Sequence, residues 1–384
     1  MKVALVHDYI KEYGGAERVL ETLHEMYPDA DVYTSVYCPE YLGPHRDRFK
    51  NWKIKTSLLQ NIPFKEKLIS PFRLISSYIF SKFDLSKYDL IIVSATGAYF
   101  PNAIKKGKAK HFCYCHTPPR YLYGYKTARD WESNILSKIV GNIVNHFLRM
   151  EDYQSAQNVD LFIANSEEVK RRIWKFYRKE AVVIYPPAVP DMSVRIHIRY
   201  VQPEKRKYYL AGGRLARAKR VDLAVEACTK LNLPLKVFGK SFAGYGNELK
   251  EIAGDKVEFF GEVSEEEKLK LMAGAKAYVF PSDTEDFGII PVEAMSVGTP
   301  VIAYKSGGVM ETVIDGKTGL FFNELNVNSL VKALKQFSAK GGSSFGGNNL
   351  TIKPEDCVNQ AKRFSKERFE KDLRRYINTL IHTD

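Results

Sequence analysis

Two glutamates eight positions apart, Glu285 and Glu293, enclose the segment EDFGIIPVE, where a glycine and a proline stand as they would at the start of a helix. Backbone N–H groups at Phe287, Gly288, Ile289 and Ile290 would then point off the helix start, where they and the positive end of the helix dipole attract phosphate. A carboxylate does the reverse: it accepts hydrogen bonds from vicinal hydroxyls and repels phosphate. Amides for a diphosphate and acids for the rings on either side of it describe a pocket for a sugar nucleotide. The competing account of this segment alone is a capped helix carrying two solvated acids.

A second segment weighs against the plainer account. YYLAGGRLARAKRVDLAVEA reads as an apolar strand running into Gly212 and Gly213, a basic turn, and an amphipathic helix from about Val221. Arg214 and Lys219, five positions apart across that turn, suit one pyrophosphate, the arginine as a planar fork and the lysine as a point charge. In the first half, HFCYCH ends on His116 before Thr-Pro-Pro. Gly14 and Gly15 precede the helical AERVLETLHEMY, where the lack of side chains lets a diphosphate or acceptor approach the backbone.

These residues need strands and helices to carry them, and the chain alternates accordingly. VALVH, DVYTSVY, LIIVSA, HFCYCH, LFIANS and VVIYPP are strand-like, with helical stretches between them, and YYLAG, LPLKVFG, VEFFGEV, AYVFPS and PVIAY repeat the rhythm. The fold class is α/β, two doubly wound parallel-sheet domains. Proline and charge replace the apolar pattern at 189–206, which divides the chain into a domain at 1–188, a linker, a second domain at 207–364 and a last helical segment at 365–384. Ligands of such sheets bind at the carboxyl ends of the strands, where all these motifs lie. The stretch KGGSSFGGNN, 340–349, reads as a surface loop.

GGRL with Lys219, the glutamate pair, SGG at Ser306 to Gly308 and DGKTGLFF at Asp315 to Phe322 resemble the C-terminal half of glycosyltransferase family 4, retaining enzymes of the GT-B fold. GGAER at Gly14 to Arg18 and HTP at His116 to Pro118 match the first domain of that family, and FCYCHTPPRYLYG looks most like its bacterial surface-polysaccharide, mannosyltransferase-like branch. The resemblance implies two Rossmann-like domains facing a cleft, with the last helix crossing back to the first domain. It implies metal-independent transfer of a mannose- or glucose-type hexose from a nucleotide diphosphate sugar, GDP-mannose or UDP-glucose, to a saccharide or polyprenyl-diphosphate-linked acceptor. His116, Glu285, Arg214 and Lys219 would be catalytic; Gly14, Gly15 and Phe287 to Ile290 would line the donor with them. Glu293 would grip the ribose, and the base would rest near Phe260, Gly261 and Val263. No cofactor is expected. Other classes that fit are a nucleotide-sugar epimerase of the same architecture and a non-catalytic sugar-binding protein.

Composition sets further bounds. A chain of 384 residues, 45% hydrophobic, has material for two full cores. It shows neither a leader nor an apolar run long enough to span a bilayer, so the expectation is a cytoplasmic protein. Five cysteines at irregular spacing fit a reducing compartment. Cys113, Cys115 and His116 lack the further ligands of a zinc site. Asp29-Ala-Asp31 resembles a metal-binding D-x-D but reads as strand entry.

The net charge of +13 is uneven: Arg46 to Lys87 holds ten basic residues against three acids. Within it Leu68, Phe72, Ile75, Ile79 and Phe83 recur at helical intervals, with Ser70 and Pro71 as cap and first residue. A basic amphipathic helix is a membrane-surface element if its apolar face is exposed and a core helix if it is not. Lys65, Lys67, Phe72 and Arg73 are the candidates for contact with anionic lipid on the inner face of the plasma membrane. No nucleic-acid recognition motif accompanies the charge.

Overall fold

The computed structural model describes residues 1–125, 135–190, 198, 201–339 and 352–381. The stretch 340–349 and most of 191–200 lie outside these residues. The chain forms two compact units: the first takes in 1–125, 135–187 and the last helix from Lys366, and the second begins at Ala188 and runs to Ser365. The described residues of the stretch read as a linker cluster with unit 2, where Arg206, 4% exposed, donates to the carbonyls of Val201, Ala275 and Gly298.

Unit 1 is built on a seven-stranded, wholly parallel sheet: β1 (Val3–His7), β2 (Asp31–Thr34), β3 (Lys53–Thr56), β4 (Leu90–Ala95), β5 (Lys110–Cys115), β6 (Leu161–Ala164) and β7 (Ala181–Val183), in the order β3-β2-β1-β4-β5-β6-β7. Its central strands are apolar on both sides because both faces are covered. On one face Leu5, Ile92 and Phe112 pack with Val19, Leu20 and Leu23 of α1 (Gly15–Met26) and with Phe369, Leu373 and Ile377 of the last helix. Those last three, spaced four apart, are 1% exposed or less; burying each contributes about 1.5–3 kcal/mol, which fixes the final helix to this unit. On the other face Val6, Val93 and Cys113 pack with Phe72, Ile79, Phe80, Val169 and Ile173.

Unit 2 has a six-stranded parallel sheet: β8 (Tyr208–Gly212), β9 (Leu235–Phe238), β10 (Val257–Gly261), β11 (Ala275–Phe280), β12 (Val301–Tyr304) and β13 (Gly319–Phe322), in the order β10-β9-β8-β11-β12-β13. Both sheets reverse direction of growth once, between β1 and β4 and between β8 and β11. Such a switch point opens a crevice beyond the strand ends. The α/β reading and the parallel sheets hold; β3 and β13 were not foreseen as strands. Asp31 opens β2 and pairs with Lys55 on β3 at 2.6 Å, so half of the D-x-D serves strand pairing.

The basic region departs from a single amphipathic helix. It is broken into short turns and two helices, α2 (Ile69–Phe72) and α3 (Ser76–Ser81), and helix begins at Ile69 rather than at Pro71. Ile75 leaves helical geometry at φ −115°, so no continuous helix forms. Phe72 and Ile79 are 6% exposed and belong to the core, which removes Phe72 from the membrane candidates. Arg73 goes with it: its guanidinium lies 4.3 Å from the ring centre of Tyr121.

Candidate functional site

In unit 2 the motifs converge at the switch point. β11 ends at Phe280, the chain turns through Pro281 to Gly288, and α9 (Ile289–Ser296) follows, counting the described helices in chain order. Gly288 stands before the helix at φ +89°, and Pro291 is its third residue rather than its first. Proline there forfeits an N–H that has no intrahelical acceptor in any case, and the N–H groups of Ile289 and Ile290 likewise have none. The GG turn lies directly against this helix start. Gly213 has φ +100°, and a Cβ there would come within 2.3 Å of Ile290 Cδ1, so both conformation and space exclude a side chain.

Lys219 and Glu285, 66 positions apart, meet: Nζ lies 2.6 Å from Oε2, and the same oxygen accepts from Ser282 Oγ at 2.7 Å. Beneath them runs the SGG loop. Gly308 N–H donates to Glu285 O at 2.8 Å, Thr284 N–H donates to Ser306 Oγ at 3.3 Å, and a Cβ on Gly307 would stand 2.3 Å from Glu285 O. The SGG motif is therefore a floor on which the backbone before α9 rests.

Glu293 is placed differently. It is 1% exposed and forms an ion pair with Lys268 at 2.9 Å, a lysine that also reaches Glu265 at 2.9 Å. Tyr278, buried on β11, donates its hydroxyl to Gly212 O at 2.8 Å. Burial raises this phenol well above its usual range, and the charges of Glu293 and Glu285 push it further. Arg214 is exposed and lies over the ring of Phe242 at 4.9 Å. Phe287 is 2% exposed with its ring against Phe364, so it offers its backbone and not its side chain. Phe260 lies on β10, the edge strand, 36% exposed with Lys236 over its ring at 4.9 Å; Gly261, at the strand end, accepts from Gly239 N–H at 2.6 Å, and Val263 follows, half-buried.

In unit 1, Gly14 caps α1 and Gly15 begins it. The Gly14 N–H donates to Glu17 Oε2 at 2.9 Å, the reciprocal arm of a capping box. His116 follows β5 with its N–H on Ala95 O at 2.9 Å; Nε2 lies 2.9 Å from Ser94 Oγ, and its carbonyl accepts from Asn165 Nδ2 at 2.9 Å. Burial and the neighbouring charge of His7 lower His116 to about 3, which leaves a neutral ring across the physiological range. Among the described residues no group of three or more His, Cys, Asp or Glu is placed to hold a metal ion, and no helix is long and apolar enough to cross a membrane.

The residues that sequence reasoning missed are the partners: Lys268, Ser282, Tyr278, Ser94 and His7. Lys268, Tyr278, Ser94 and His7 carry no local signal, because each is set by a strand register or a helix packing beyond its own segment; Ser282 stands three positions before Glu285 in the same loop.

Comparison with known proteins covers both units. Residues 13–191 match the model for Glycosyltransferase Family 4, and residues 195–364 match that for Glycosyl transferases group 1. An uncharacterised glycosyltransferase of Methanocaldococcus jannaschii is 24% identical over 332 residues, 86% of this chain and 86% of that protein. An alpha-1,3/1,6-mannosyltransferase of Candida glabrata is 26% identical over 82% of this chain and 78% of its own. Among solved structures, sucrose-phosphate synthase of Thermosynechococcus elongatus superposes with a TM-score of 0.70 at 19% identity, covering all of both chains. Anabaena HepE in complex with UDP and glucose does so at 0.68 and 20% identity, covering 98% of this chain and 99% of that one. These neighbours share the GT-B fold.

Proposed function

The chain belongs to glycosyltransferase family 4, and from that premise we propose that it moves a mannose- or glucose-type hexose, with retention of configuration, from a nucleoside diphosphate sugar to a saccharide or a polyprenyl-diphosphate-linked saccharide. One observation carries this reading: the 2.6 Å contact of Lys219 with Glu285 at the start of α9, beside a glycine turn that admits backbone close to a ligand. An anion site and a hydroxyl-binding acid stand side by side there, as a phosphorylated sugar requires.

In the proposed reaction the diphosphate rests on the N–H groups of Ile289 and Ile290, and Arg214 and Lys219 neutralise the charge that grows on it as the glycosidic bond breaks. Lysine has three donors, so Lys219 serves the phosphate without releasing Glu285. Glu285 holds sugar hydroxyls, Glu293 steadies the ribose side of the nucleotide, and the base rests near Phe260. His116 donates to a hydroxyl of the sugar. The two glutamates are given to binding rather than to double displacement, so the leaving phosphate is proposed to take the acceptor proton while the enzyme positions and shields an oxocarbenium-like transition state. Lysine, arginine and amides meet the diphosphate's charge, so the reaction is proposed to need no metal. A mannosyl donor is favoured by the mannosyltransferase named above, and a UDP-linked donor by the ligand of HepE.

The exposed apolar residues Leu74 and Tyr78, 56% and 62% exposed, with Lys65, Lys67 and Lys82 near them in sequence, are proposed as the lipid-facing surface in place of Phe72 and Arg73. All five cysteines are buried and none is in a disulfide, in keeping with a cytoplasmic site.

The test is a binding panel of GDP-mannose, UDP-glucose and the bare nucleoside diphosphates on wild-type, Glu285→Gln and Glu293→Gln protein. Glu285→Gln should cut turnover strongly and leave diphosphate affinity nearly intact, while Glu293→Gln should weaken the nucleotide itself. Equal and small effects of both overturn the assignment.

A further inference from the structure

The two motifs of unit 1 are joined by an unbroken chain of contacts. Glu17 uses Oε2 to cap Gly14, and its Oε1 lies 3.4 Å from His7 Nε2. The opposite nitrogen of His7, Nδ1, lies 3.0 Å from Ser94 O and 3.2 Å from Ser94 Oγ, and Ser94 Oγ lies 2.9 Å from His116 Nε2. His7 and Ser94 are 0% exposed and Glu17 is 6% exposed. Sheet register sets the chain: β1 and β4 pair with His7 directly opposite Ser94, and β4 and β5 pair Ala95 with Cys115, the residue before His116.

The proton positions follow from the partners. A carbonyl only accepts, so His7 Nδ1 carries the hydrogen, and it is shared with Ser94 Oγ. Ser94 Oγ therefore accepts from His7, and its own hydrogen has one acceptor recorded among the described residues, His116 Nε2. A nitrogen that accepts bears no proton, which places the proton of the neutral His116 ring on Nδ1.

We propose that Glu17, His7 and Ser94 are positioning residues that lock His116 in the Nδ1–H tautomer, so that it meets the substrate as an N–H donor on a fixed ring. Its use in turnover rests on the donor-binding role given to His116 above; the tautomer itself does not. The Gly14–Gly15 turn and the His116 loop are thereby joined by one run of contacts, with Glu17 at the end far from His116.

The test reads the tautomer on the full chain, without substrate, from nitrogen–proton correlation spectra of protein carrying isotope-labelled histidine, with His116→Gln identifying the His116 signals. Wild type should show a protonated Nδ1 and a bare Nε2 at His116. Ser94→Ala should transfer much of the population to Nε2–H, and Ser94→Thr, which keeps the hydroxyl, should restore the wild-type pattern. In turnover with the donor selected by the binding panel, Ser94→Ala should lose roughly tenfold to a hundredfold in kcat, the scale of a misplaced reacting group, with little change in KM. Unchanged His116 signals in Ser94→Ala overturn the proposal. So does a shifted tautomer with wild-type kcat when His116→Gln is inactive. If His116→Gln itself turns over normally, the donor-binding role falls, and the spectra alone decide whether the chain fixes the ring.

Discussion

Unit 1 and unit 2 hold their candidate residues by different physics. In unit 2 each glutamate is matched to a lysine, Glu285 to Lys219 and Glu293 to Lys268, so the site is a set of charge pairs at a helix start. In unit 1 His116 is held by hydrogen bonds passed across neighbouring strands. Charge pairs can be shared with an incoming diphosphate, because a lysine has donors to spare. A histidine held by strand register serves through its fixed orientation. The first arrangement suits a group that must follow developing charge, the second one that must stay still.

The largest effect that would sharpen this contrast is the loss of both phosphate cations. Arg214→Ala with Lys219→Ala should remove on the order of several kcal/mol of transition-state stabilisation, a drop of about a thousandfold or more in kcat/KM. A loss below about tenfold, measured as nucleoside diphosphate release, would break it.

A change in unit 1 should act on stability with a different pH signature. Asp152 is buried, and burial raises it to about 7 against hydrogen bonds from Tyr123 and Tyr177 that pull it down. Its folded value exceeds its unfolded one, so the folded state binds the proton more tightly between about pH 4 and 7, and stability declines as pH rises through that window. Asp152→Asn should flatten the decline by up to a few kcal/mol, read as denaturant midpoints at pH 5 and pH 8. The same slope in variant and wild type would contradict it.

The smallest expected effect concerns the surface of unit 1. Changing Lys65, Lys67 and Lys82 to Glu should weaken sedimentation with phosphatidylserine vesicles by up to about 1 kcal/mol per residue and leave binding to neutral vesicles alone. Arg73→Glu should instead lower stability, because that side chain packs on Tyr121. Identical vesicle binding by the triple variant would remove the lipid-facing assignment.

Much of the fold was legible because strand rhythm is a local property. LIIVSA and AYVFPS announce buried parallel strands by composition. KIKT does not, since half its residues are charged, and GLFF is too short to separate from a turn. The apolar spacing of Leu68, Phe72, Ile75, Ile79 and Phe83 reads as one helical face, and sequence leaves open which medium it meets; Leu68, Phe72, Ile79 and Phe83 pack in or against the core, whereas Ile75, 45% exposed, turns to solvent with Leu74 and Tyr78 because the helix breaks there. At the site, Glu285, Glu293 and the glycines showed themselves by spacing. The burial of Glu293 did not, because Lys268 comes from a different helix 25 positions away. His7 and Ser94 were invisible for the same reason: sheet order and register put them side by side.

The central claim is that the helix start at Ile289 and the Lys219–Glu285 contact form the seat of a nucleoside diphosphate sugar. A crystal structure of the protein soaked with GDP-mannose and with UDP-glucose tests it most directly. The account predicts a diphosphate within hydrogen-bonding distance of the Ile289 and Ile290 amides and of Lys219, with the hexose hydroxyls on Glu285. A donor bound with its diphosphate away from that helix start would contradict it.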